Sequence, residues 1–140
     1  MSPIKLSWCC WALIVFVLGA CGVNESAEDG MWPVLAQSEG GYFRITVQPR
    51  SDGAVVGLNR YEIFVFDADE MPVMDAAIRL ELWMPDHGHG SDREAFVEWR
   101  DGANYSVENV VYTMPGLWTW TLLIETPQHT DSINWSVEIR

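Results

Sequence analysis

From residue 42 onward, apolar and polar side chains alternate along the chain with a period of two. Phe43, Ile45 and Val47 are separated by Arg44 and Thr46. Tyr61, Ile63 and Val65 share one face of the next run, and Ile78, Leu80 and Leu82 alternate with Arg79, Glu81 and Trp83. This period predicts strands with one buried face. Turn signals part the runs: Pro49 with Ser51-Asp52-Gly53, the acidic Asp67-Ala68-Asp69-Glu70-Met71-Pro72, Asp101-Gly102, and Met114-Pro115-Gly116. Further strands are expected over 95–99, over 105–112 with a bulge near Glu108-Asn109, over 117–125, and over 135–139. No stretch has a helical period. About seven short strands, set by turns every 8–12 residues or so, predict an all-β fold, an immunoglobulin-like antiparallel β-sandwich.

The first residues follow another pattern. Lys5 precedes an unbroken apolar run over 11–18, and Leu18-Gly19-Ala20-Cys21 follows it. A basic start, a short apolar core and small residues before a cleavage point describe a secretory signal. The Leu-Gly-Ala-Cys ending resembles the lipobox of bacterial lipoproteins, which implies acylation of Cys21. An ordinary signal peptide or an uncleaved anchor is the other reading. The expected division is a signal peptide over 1–20, a lipidated Cys21 with a flexible tether over 21–41, and a domain over 42–140. Met31-Trp32-Pro33-Val34-Leu35 forms an apolar island in the tether. Cys9 and Cys10 would leave with the signal and Cys21 would carry lipid, so the domain would hold no disulfide and no thiolate. The implied location is the bacterial envelope, lipid-anchored and facing the periplasm. Gly22, where an Asp would mean inner-membrane retention, favours the outer membrane of a two-membrane cell.

The net charge is −12. Eight basic residues less Lys5 leave 7 arginines against 20 Asp and Glu, a balance of −13. That argues against nucleic acid and against binding to anionic lipid through charge. The acidic residues are spread out, as on a solvated surface.

Candidate chemistry concentrates in Met84-Pro85-Asp86-His87-Gly88-His89-Gly90, at the end of a predicted strand. His87 and His89 are two apart, so on an extended segment both rings point the same way. Met84 adjoins them, and in a sandwich the turn carrying Met114 can fall at the same end. Two imidazoles and up to two thioethers suit Cu(I), and Asp86 or water would admit Cu(II). The competing reading is a solvated turn, with the methionines capping the core and the glycines serving positive φ. His129 lies in another loop and reads as surface. There is no Gly-x-Ser-x-Gly elbow, no remaining cysteine nucleophile, no paired carboxylate motif and no phosphate-cradling glycine loop, so no enzyme is expected. A third possibility is an interaction module. The tryptophans sit mostly on strands, where they fill a core, but Trp83 falls opposite Leu80 and Leu82. It is the candidate contact for an envelope partner, unless the segment around Trp32 covers it.

The chain from about residue 42 resembles the YtkA-like domains, close to the FixH family of extracytoplasmic proteins. The resemblance rests on Leu58-Asn59-Arg60-Tyr61, the Met84 to Gly90 run, Asp101-Gly102-Ala103-Asn104-Tyr105 and Met114-Pro115-Gly116-Leu117-Trp118. It implies a small secreted or membrane-attached immunoglobulin-like sandwich, associated with copper handling or respiratory oxidase assembly. It implies no enzymatic activity.

Overall fold

In the computed structural model the described residues are 32–51 and 53–140. The leader, Cys9, Cys10, Cys21 and the tether up to residue 31 lie outside them. Nine strands follow in order: β1 (Val34–Gln37), β2 (Phe43–Pro49), β3 (Gly57–Asp67), β4 (Ala77–Met84), β5 (His89–Gly90), β6 (Phe96–Asp101), β7 (Asn104–Tyr112), β8 (Gly116–Glu125) and β9 (Thr130–Ile139). They form two sheets, β1-β2-β3-β7-β6 and β5-β4-β8-β9. Every ladder is antiparallel. Stripped of β1 and β5, this is the four-on-three strand order of the immunoglobulin sandwich.

The seven expected strands are present, and two more add to them. β1 lies inside the stretch expected as tether. Its Val34 is buried, while Leu35 is 74% exposed. Trp32 docks just before it, its ring 5.1 Å from that of Tyr61. The other addition is the two-residue β5, which carries His89. The described sandwich therefore takes in residue 32, ahead of the start that the alternation alone suggests.

The core follows the period-two pattern. Phe43, Ile45 and Val47 on β2, Tyr61, Ile63 and Val65 on β3, and Ile78, Leu80 and Leu82 on β4 all face the space between the sheets. Trp118, Trp120, Leu122 and Ile124 on β8, beside β4 in the second sheet, fill the same space. Packing holds the two layers together, since no cysteine lies among the described residues. The bulge expected near Glu108-Asn109 is there: Asn59 pairs Val110 and Tyr61 pairs Val107, so two residues of β7 oppose Arg60. Asn109 takes a positive φ of 61° at that point.

At one end of the sandwich the loop after β1 is clasped to β9. Gly40 N donates to both carboxylate oxygens of Asp131, at 3.0 and 2.9 Å. The opposite end carries His87 and His89.

Candidate metal centre

The histidine segment is a hairpin tip. Met84 O accepts from His87 N at 3.2 Å and from Gly88 N at 2.9 Å. Pro85 presets the first turn position, and Gly88 takes the left-handed conformation at φ 65°. The chain between the two histidines is thus turned, in contrast to the extended segment expected from their spacing. The turn still brings the rings together: their centroids are 5.9 Å apart. Two imidazoles sharing one ion, each through a nitrogen about 2 Å from it, place their centroids roughly 5–6 Å apart.

The tip is held from three sides. Met84 pairs His89 across the β4–β5 ladder, so both side chains project from the same sheet face. Trp118 meets the His89 ring edge-on at 5.9 Å, and its Nε1 donates to Met114 O at 3.1 Å. Ser91 Oγ donates to Val111 O at 2.9 Å, which ties the exit of the hairpin to the facing sheet. Gly90 permits the close approach, because a Cβ there would lie 2.9 Å from Leu82 O.

His89 Nδ1 lies 2.9 Å from Gly90 O. A carbonyl oxygen only accepts, so Nδ1 carries the proton and the neutral ring presents its lone pair at Nε2. A backbone carbonyl on the far nitrogen is the partner that metal-binding histidines usually have. His87 is exposed and His89 half-buried.

The methionines divide. Met84 is 1% exposed and belongs to the core. Its Cε would stand 2.5 Å from a Cβ added to Gly116. The alternation of β4 runs on through this residue, a signal that its burial was legible. Met114 is half-buried in the loop before β8 and packs on the core rim. Asp86 is exposed in the turn. Among the described residues, no three His, Cys, Asp or Glu side chains gather to hold a metal. Methionine sulfur is the remaining side-chain donor that would add to the two imidazoles at this tip. Trp118 is the member that the spacing of the motif does not announce; it reaches the imidazoles only through the β4–β8 pairing.

The other candidates do not join the imidazoles. Trp83 is 42% exposed on the outer face of the β4 sheet, and Trp32 sits against Tyr61 instead of covering it. His129 stacks on Tyr42 at 4.0 Å, on the loop beside β9.

Residues 36–122 match the YtkA-like family. The chain belongs to the YtkA-like family. The matched span runs from β1 into β8 and takes in the histidine hairpin, Met114 and Trp118. In this YtkA-like domain, β9 lies beyond the match and completes the second sheet. No curated protein and no solved structure matches the chain.

Proposed function

We propose that this YtkA-like domain is an envelope accessory protein that binds and delivers copper at the histidine hairpin. The observation that carries the reading is the imidazole pair: two rings 5.9 Å apart, with the tautomer of His89 fixed by Gly90 O. His87 and His89 supply nitrogen, and Met114 and Met84 supply thioethers from the rim and from the core side. Nitrogen with thioether is a soft donor set that favours Cu(I). An exposed His87 gives the ion a way on and off. On this reading Cys21 carries the lipid that tethers the domain at the membrane, and the fold acts without enzymatic chemistry.

The test is a Cu(I) competition titration of the full chain. One equivalent should bind, and His87→Ala with His89→Ala should abolish uptake. Unchanged uptake in the double variant would overturn the assignment.

A second reading rests on Trp83. Its ring and the aliphatic side chain of Leu117 are exposed on the same outer sheet face, which suits a metal-free module docking a partner in the envelope. Loss of that docking in Trp83→Ala, with copper uptake absent from the parent, would favour it.

A further inference from the structure

Aromatic side chains, linked by ring contacts and one hydrogen bond, run across the sandwich from the histidine hairpin to the first described residue. Beyond His87 and His89, Trp118 contacts the His89 ring at 5.9 Å and Tyr112 at 5.5 Å. Trp120 Nε1 donates to the Tyr112 hydroxyl at 2.9 Å. The Trp120 ring meets Tyr61 edge-on at 4.9 Å, and Tyr61 meets Trp32 at 5.1 Å. Indoles and phenols alternate: Trp118, Tyr112, Trp120, Tyr61, Trp32. The chain begins at β5, the edge of one sheet, and ends beside β1, the edge of the other. Close packing alone does not require contact from edge to edge.

We propose that this chain is an electron conduit, passing one electron at a time from Trp32 to a strongly oxidising species held at His87 and His89. The oxidant end rests on the copper reading above; the conduit stands on the ring contacts and the Trp120–Tyr112 hydrogen bond. Electron transfer weakens steeply with separation, so contact at each step is what a conduit needs. An indole that gives up an electron persists as a cation, whereas a phenol must shed its proton at once. The Tyr61 and Tyr112 hydroxyls bond each other at 3.0 Å. Burial first of all pushes both phenols above their usual range. No carboxylate or imidazole among the described residues accepts a hydrogen bond from either. The three indoles therefore carry the charge, and the two phenols bridge them.

The step balances with hydrogen peroxide as oxidant. Copper(I) held by His87 and His89 would supply the first electron to peroxide, whose O–O bond would break to hydroxide and a hydroxyl-radical equivalent. Trp118 gives the second electron, which reduces that equivalent to hydroxide; the two hydroxides take two protons from solvent as water. The indole cation is refilled from Trp120 and then from Trp32, where a quinol returns one electron, leaves as the semiquinone and releases its proton to solvent; this is a single protective event that leaves the metal oxidised, and not a catalytic cycle. The oxidising equivalent leaves the hairpin before it attacks His89 or Met114.

The test needs no copper, so its failure is distinct from failure of the metal reading. A ruthenium polypyridyl is attached to the exposed His87 of the full chain carrying His129→Gln, and is photo-oxidised with a soluble electron acceptor. Peptide mass spectrometry should find oxidised indole at Trp32, while Trp99, exposed but off the chain and away from the labelled hairpin, stays at the unlabelled background. Trp120→Phe should abolish oxidation at Trp32, and Tyr61→Phe should preserve it. If Trp120→Phe does not fold, Trp118→Phe cuts the chain one step earlier and is read the same way. Oxidation confined to the hairpin in the parent, or oxidation at Trp32 undiminished by the cut, would overturn the proposal.

Discussion

Met84 on β4 and His89 on β5 face each other across the shortest ladder of the fold. One is sealed in the core and the other stands half in water. The pairing makes the histidine hairpin an extension of the hydrophobic interior, so its geometry inherits the rigidity of the sheet. It also passes changes in packing behind Met84 to the imidazoles.

Gly116 is the place to test that link. It takes a φ of 128°, and a Cβ would press on the Met84 methyl. Gly116→Ala combines overpacking with a disfavoured backbone angle, and should cost roughly 1–3 kcal/mol of stability in urea unfolding. Copper affinity should fall with it, since Met84 must move.

Gly88 separates strain from packing. Its φ is 65°, and a Cβ added there would meet nothing within 4 Å. Gly88→Ala should therefore cost about 1 kcal/mol through the backbone alone. Gly88→Asn should recover much of that, because Asn tolerates the left-handed region. Equal losses in both variants, measured by denaturant midpoint, would show that the left-handed angle does not set the cost.

The buried hydroxyl pair predicts an order of effects. Tyr112→Phe removes the acceptor of the Trp120 N–H and the partner of the Tyr61 hydroxyl. It should destabilise by about 2–3 kcal/mol. Tyr61→Phe leaves the Trp120–Tyr112 bond in place and should cost about 1 kcal/mol. Thermal unfolding of the two single variants gives the comparison.

Asp131 predicts a pH dependence. Burial pushes its carboxyl up, but hydrogen bonds from Ser38, Gly40, Ser132 and Tyr42 together outweigh that and leave it below the usual range. A carboxylate depressed in the folded state adds stability above its unfolded value, and that stability is lost as pH falls through the folded value. Asp131→Asn should therefore be less stable than the parent at neutral pH, and the gap should close below about pH 4. A gap that persists in acid would show that the clasp does not depend on charge.

The sandwich was legible wherever one sheet face is buried along a whole strand. Phe43, Ile45 and Val47, or Ile78, Leu80 and Leu82, repeat often enough to declare a period. β1 has too little repetition, with a single buried residue at Val34 next to an exposed Leu35. β5 is two residues long and hidden between glycines. The histidine spacing draws attention to this segment, but its conformation depends on Gly88, and a His-x-His pair by itself does not distinguish strand from turn. Trp118 joins the tip through a pairing between residues far apart in sequence, which no local pattern carries.

X-ray absorption at the copper edge of the Cu(I)-loaded chain reads the proposed ligands themselves. Two imidazole nitrogens and at least one methionine sulfur should surround a single copper, and the imidazole signature should vanish in the His87→Ala and His89→Ala pair. A copper bound by oxygen alone, or one whose spectrum is unchanged in that double variant, would contradict a centre at the histidine hairpin.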